Sequence, residues 1–242
     1  MDLRSKIKLN HYFRLILMLF LIATTLTLVF NTSPLFAGGG NKLIHGIDVS
    51  YYQGTINWKK VAKNNIDFAF AKATGGVFFT DPQFENNWHG MRAVGIKRGA
   101  YHFFYASESA QEQARHFLNT IRKLTPTDLP PVLDVEILDN TEPALLRQRV
   151  ITWLKIVEER TQKTPIIYSD LYFARQYLND PRLSKYPLWV ADYSKQLGAL
   201  PSVWRQQGWL FWQHSENGRV PGVNGAVDLD IGSSKLSINH SR

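Results

Sequence analysis

The chain has 242 residues, 28 Lys and Arg against 20 Asp and Glu, a net charge of +8 and no cysteine. The absence of cysteine excludes disulfides, thiolate nucleophiles and Cys-ligated zinc, and a hydrophobic fraction of 44% excludes an intrinsically disordered chain. The basic excess forms no dense run after residue 37, which speaks against nucleic-acid binding and leaves a mild preference for polyanionic surfaces such as cell-wall polymer.

Met1 to Arg14 is polar and basic, and Leu15 to Phe30 is an apolar run broken only by threonines. Asn31 to Gly40 then brings Pro34, Ala37 and three glycines. This is the pattern of an export signal, with a cut expected after Ala37. A signal anchor is the alternative, although the run is short beside the ~20 residues of a membrane span. Residues 1–37 are thus expected to be a signal segment and 38–42 a flexible lead-in. A barrel domain is expected at 43–236 and a short tail at 237–242. Residues 1–37 carry Arg4, Lys6, Lys8 and Arg14 against Asp2, so residues 38–242 keep a net +5.

Strand and helix patterns alternate from there. Leu43 to Val49 reads as a strand and Trp58 to Asn64 as a short helix. Phe68 to Ala73 alternates as a strand, and Thr80-Asp81-Pro82 opens a helix that Gly95 ends. Arg98 to Tyr105 is the third strand. Ser109 and Glu112 have capping-box spacing before the apolar face of Ala114, Phe117, Leu118 and Ile121. Pro131 to Ile137 is the fourth strand, and a long helix follows Thr141-Glu142-Pro143. Pro165 to Ser169 is a strand and Tyr172 to Leu178 a helix. Leu188 to Tyr193, Trp209 to His214 and Ala226 to Ile231 are three more strands with little helix between them. Five β/α units and three further strands predict a single α/β domain, an irregular TIM-like (β/α)5(β)3 barrel with a mainly parallel sheet.

Acids collect at the predicted strand ends. Asp48 ends the first strand, Asp134 and Glu136 the fourth and Asp192 the sixth, while Asp228 and Asp230 lie in the eighth. A parallel barrel places its strand C-termini on one face, where the active site sits. Asp134 and Glu136 are two apart and so share a side of the strand. They are flanked by Pro131, Val132, Leu133, Ile137 and Leu138, where an acid is costly unless paired, hydrogen-bonded or protonated. Crowded carboxyls raise at least one pKa, which supplies a proton donor beside an ionised neighbour, the division of labour in glycoside hydrolysis. Taken singly, Asp192 and Asp230 read as structural acids or supports for the site. Rings follow the same geography. Tyr51, Tyr101, Phe103, Tyr168, Trp189, Tyr193 and Trp212 lie at or near strand ends, where they can stack on sugars or pack the barrel. His102 and His214 lack metal-ligand spacing and read as ordinary polar residues near the site.

The motifs taken together resemble the Chalaropsis-type lysozymes (N-acetylmuramidases), glycoside hydrolase family 25. They are His45-Gly46-Ile47-Asp48-Val49-Ser50 with Gln53-Gly54, Asp67 to Thr74, Gly99-Ala100-Tyr101-His102-Phe103, and Leu133-Asp134-Val135-Glu136. Pro165 to Tyr168, Leu188 to Tyr193, Phe211-Trp212-Gln213-His214, and Val220 to Gly225 leading to Val227-Asp228-Leu229-Asp230 continue the series. The resemblance implies a barrel with irregular last strands that cuts the β-1,4 bond between N-acetylmuramic acid and N-acetylglucosamine, with retention. It implies Glu136 as general acid/base, Asp134 as its partner, and Asp48 and Asp228 as the remaining carboxylates. The expected substrate-binding set is Tyr51, Tyr101, Phe103, Tyr168, Trp189, Asp192, Tyr193, Trp212 and Gln213. No metal or cofactor is expected, and the expected partner is the peptidoglycan glycan strand, bound by a monomer. Membrane attachment is expected only if the first segment is not cleaved. One departure stands out. The last motif more often reads Asp-Leu-Asn and ends in an aromatic residue, whereas here it is Asp228-Leu229-Asp230-Ile231-Gly232. A non-catalytic glycan-binding barrel, and a glycosidase acting on chitin, fit the same residues.

Overall fold

The computed structural model describes residues 43–232. The expected signal segment, the lead-in and the C-terminal tail lie outside these residues. Nine strands form one sheet: β1 (Ile44–Val49), β2 (Phe68–Gly75), β3 (Phe79–Thr80), β4 (Lys97–Phe103), β5 (Val132–Asp134), β6 (Ile166–Asp170), β7 (Leu188–Ala191), β8 (Trp209–Gly218) and β9 (Val227–Gly232). Their order is β1-β9-β8-β7-β6-β5-β4-β2-β3, and an additional β1–β2 pairing closes eight of them into a barrel. The two-residue β3 stays outside the ring, paired antiparallel to β2.

Among the described residues five α-helices follow the first strands: α1 (Trp58–Val61), α2 (Phe84–Ala93), α3 (Ala110–Ile121), α4 (Pro143–Thr161) and α5 (Leu171–Tyr177). Between β7 and β8 there is only a 3-10 turn at Ser202–Trp204. The predicted architecture of five β/α units and three strands is therefore the observed one. Helix starts follow local chemistry. Pro143 occupies the first turn of α4, where its missing N–H costs nothing. Ser109 caps α3 by accepting the Glu112 N–H at 3.3 Å. The α2 start differs from the sequence expectation. Asp81 accepts the Gln83 N–H at 2.8 Å, so Pro82 lies in a turn and the helix begins at Phe84.

Strand alternation builds two cores. Outward residues such as Ala69, Ala71, Leu133, Val135, Ile167 and Val190 pack under the helices with Phe117, Leu146, Val150 and Trp153. Inward residues Phe68, Phe70, Val132, Ile166, Trp189 and Phe211 fill the barrel. Two glycines make room for these rings. A Cβ at Gly46 would come within 2.3 Å of the Phe68 ring, and one at Gly99 within 2.1 Å of the Phe70 ring.

The last strand runs against its neighbours. β9 is antiparallel to both β8 and β1, with Asp48 opposite Asp228 and Gly46 opposite Asp230. A strand that enters from the rim presents its first residues there. Asp228 consequently joins the acids at the C-terminal ends of the parallel strands, although it stands near the start of its own.

Candidate active site

A cleft of about 300 Å³ opens at the C-terminal rim of the barrel. Its wall brings together Asp48, Asp134, Glu136 and Asp228, four acids from β1, β5, the segment after β5, and β9. Of the candidate binding residues, Tyr101, Phe103, Tyr168, Trp189, Tyr193 and Gln213 line the same cleft. Three others do not. Tyr51 stacks on Tyr52 at 4.2 Å and packs near Phe79. Asp192 caps the loop behind the rim, accepting from the Ser194 hydroxyl at 2.6 Å and the Gly198 N–H at 2.9 Å. Trp212 points outward from β8 between Trp209 and His214, its indole donating to the Asp192 carbonyl at 2.7 Å.

The two histidines are corrections. His102 was expected beside the site, but it is fully buried in the helix layer. Its ring stacks on Trp153 at 5.6 Å and bonds the Thr74 hydroxyl at 2.7 Å and the Gln113 side chain at 3.1 Å. Burial pushes its pKa down to about 3, so it is neutral. The reason is alternation: Tyr101 and Phe103 point inward, so the residue between them points outward. His214 takes the outward position after Gln213 in the same way and packs against Trp212.

Glu136 lies two residues beyond Asp134, after β5 has ended. The ladder nevertheless extends one more bond, from the Val135 N–H to the Tyr168 carbonyl at 2.9 Å. That bond keeps the backbone extended enough for the two carboxyls to meet, and they are hydrogen-bonded to each other. Asp134 is 5% exposed. Burial, and then the Glu136 charge, hold its pKa well above the usual carboxylate range. Burial also raises Glu136, while its bond with Asp134 and the nearby Lys72 ammonium oppose the rise. One member of such a pair keeps a proton at a pH where an isolated carboxyl has lost it.

Asp48 stands on the opposite side of the ring. Its Oδ2 accepts the Gln213 amide N–H at 2.6 Å. Gln213 is oriented by two phenols, because its Oε1 accepts from Tyr168 at 2.8 Å and from Tyr193 at 2.7 Å. Burial, Asp230 and Asp228 together raise Asp48 well above its usual range. Asp228 is pushed up to about 6 by burial and by Glu216. Asp192, by contrast, is held below its usual value, because its Ser194 and Gly198 bonds outweigh the effect of burial.

Several wall residues were not singled out from the sequence. Lys72 is the clearest. It lines the cleft, and its ammonium lies 4.6 Å from the centre of the Phe103 ring. Phe68, Phe70 and Lys72 fall two apart on one strand, so alternation alone places Lys72 inward with the barrel rings. Tyr52 and Gln53 come from a 3-10 turn fixed by Ser50, whose N–H bonds the Gln53 side chain at 2.9 Å. Glu216 comes from the extension of β8 beyond its expected end. Local spacing carried no signal for Tyr52 and Glu216, while Gln53 stood in the first motif with no role given to it.

Residues 47–223 match the model of glycosyl hydrolases family 25. The chain belongs to that family. Family 25 membership agrees with the resemblance read from the motifs, and it makes the chain a glycoside hydrolase. The Escherichia coli O6:H1 protein YegX is 45% identical over 193 residues, covering 78% of this chain and 69% of its own. Lysozyme M1 of Streptomyces globisporus is 34% identical over 198 residues, covering 76% and 66%. The crystal structure of the bacterial lysozyme from Streptomyces coelicolor superposes with a TM-score of 0.73 at 32% identity, covering 77% of this chain and 90% of that one.

Proposed function

We propose that this family 25 chain is an exported muramidase that hydrolyses peptidoglycan at the β-1,4 bond from N-acetylmuramic acid to N-acetylglucosamine, with retention. The Asp134–Glu136 pair at the cleft wall, with Asp134 buried and Glu136 half-buried beside it, carries the reading. Glu136 is the general acid. It gives its proton to the glycosidic oxygen as the bond from that oxygen to the anomeric carbon breaks. The same carboxylate then takes a proton from the incoming water. Asp134 holds Glu136 in place and sets its proton affinity. Asp48 and Asp228 face the positive charge that develops at the sugar ring. Retention requires a first attack from the opposite face, by a site carboxylate or by the acetamido oxygen of the substrate. Tyr101, Phe103, Tyr168 and Tyr193 supply ring faces and hydroxyls for the sugars, and Trp189, 1% exposed, packs beneath them. Export rests on the N-terminal segment, and the barrel is proposed to act as a monomer.

The test is digestion of purified peptidoglycan, with the products analysed by mass. New reducing ends at N-acetylmuramic acid are expected from the parent chain. Glu136→Gln keeps the shape of the side chain but has no proton to give. Its kcat should fall by about 10³-fold, within the usual range for a lost acid/base, while pelleting with insoluble peptidoglycan is kept. Binding without any release of reducing ends by the parent would count for a glycan-binding protein instead. Faster cleavage of chitin than of peptidoglycan would move the substrate.

A further inference from the structure

One buried acid of the barrel has no place in the reaction just described. Asp230 is 1% exposed and sits in β9 two residues beyond Asp228, opposite Gly46 and Gln213. The Trp189 indole donates to its Oδ1 at 3.0 Å. Its Oδ2 is also buried, yet among the described residues no amide, hydroxyl or indole donor reaches it. The remaining neighbour is Asp48, which stands diagonally from Asp230 on the same face of the β1–β9 ladder. Gln213 already supplies the donor to Asp48 Oδ2. Two carboxyls can bond each other only when one of them carries a proton, since ionised carboxylates are acceptors only.

We infer that Asp48 and Asp230 hold a single proton between them, and that Asp230 is thereby a positioning residue that fixes the Asp48 carboxyl in the cleft wall. The functional part of this rests on Asp48 belonging to the reaction site. The site then contains two carboxyl pairs. Asp134–Glu136 faces the substrate and exchanges its proton with it. Asp48–Asp230 lies deeper, and its proton acts as a bolt. Loss of the second proton would leave two buried carboxylates in contact. They would repel, and Asp48 would leave the position that Gln213 and the two phenols define. Burial holds both acids above their usual range. The titratable groups that face the pair are Asp228, Glu136, Asp134 and the phenols of Tyr101, Tyr168 and Tyr193. The Lys72 ammonium acts on Asp134 and Glu136 instead.

The Trp189 indole N–H reports on the pair directly, because it is bonded to Asp230. In the full chain its NMR resonance, assigned by its loss in Trp189→Phe, should move with pH. The highest step should lie above ~3.9, the ordinary aspartate value. Asp48→Asn and Asp230→Asn each leave one titrating member, so the highest step should vanish in both. A step that persists with the same midpoint in either variant belongs to another acid and overturns the shared proton. The positioning role has its own readout. Asp230→Asn supplies a permanent N–H donor to Asp48, whereas Asp230→Leu supplies none. On peptidoglycan, kcat of the leucine variant should be at least about tenfold below that of the asparagine variant, with KM within about threefold. Equal kcat values overturn the positioning role. Should the leucine variant fail to fold, the indole titration of the two asparagine variants still decides the pair. It decides it equally if the parent chain proves inactive on peptidoglycan, so failure of the pair and failure of the proposed activity remain distinguishable.

Discussion

Asp228 is the most exposed of the acids whose pKa is raised in the cleft, and it shows what gathering them costs. Its value in the folded chain is about 6, against ~3.9 for an unperturbed aspartate. The unfolded chain therefore gives up this proton more readily than the folded one. Below pH ~4 both states hold the proton, and Asp228 costs nothing. As pH rises through 6 the folded state is progressively penalised. Asp228→Asn removes that penalty. No change in Tm is expected near pH 4, and at pH 8 the variant should be more stable. The bare shift would amount to ~3 kcal/mol. Asp228 is partly open to solvent, so a gain on the order of 1 kcal/mol is expected after screening, or ~2–4 °C in Tm for a domain of this size. Thermal melts of parent and variant at the two pH values check it, and an equal difference at both would refute the linkage. Asp48, Asp134, Glu136 and Asp230 are raised in the same direction. The parent chain should accordingly melt at a higher temperature near pH 5 than near pH 8. Stability and the acid cluster pull against each other at this rim.

At the scale of elements, the barrel interior depends on two strand positions without side chains. Gly99 pairs with Phe70 across β2 and β4, and an added Cβ there meets the ring at 2.1 Å. The ring is fully buried against Trp189 and Phe211, so it has little room to withdraw. Gly99→Ala should destabilise the chain by ~1–3 kcal/mol, the usual cost of overpacking, measured as a lowered urea midpoint with an unchanged slope. A neutral result would mean that the aromatic interior repacks freely. The same elements show what sequence can reveal. The β/α order was legible because amphipathic helices and alternating strands write their periods locally. Asp134 and Glu136 were legible because acids are rare in an apolar strand. The direction of β9 was not, since alternation reads the same both ways along a strand. That direction brings Asp228 to the rim opposite Asp48. Tyr52 and Glu216 reach the cleft through a turn and a strand extension that only tertiary pairing fixes. Lys72, His102 and Trp212 were legible in principle, because period two places each one inward or outward from its neighbours.

At the scale of the whole molecule, charge is divided by place. The cleft gathers five carboxylic acids, Asp48, Asp134, Glu136, Glu216 and Asp228, and one nearby ammonium, yet residues 38–242 keep a net +5. The excess of cations therefore lies away from the reacting centre. Such a distribution separates two tasks. On the proposed function, the exterior is expected to attract an anionic wall, whose stem peptides bear carboxylates, while the cleft keeps its proton affinities behind a wall of protein. Salt distinguishes the two. Screening shortens the reach of exposed charges from ~10 Å at 0.1 M to ~3 Å at 1 M, and affects buried pairs much less. Raising sodium chloride from ~0.05 to ~0.5 M should raise the apparent KM for intact peptidoglycan several-fold and leave kcat within about twofold. A short glycan stripped of its peptides lacks most of the anionic groups that the exterior attracts, so its KM should change little over the same range. If salt weakened both substrates equally, the positive exterior would have no part in wall binding, and affinity would reside in the cleft alone.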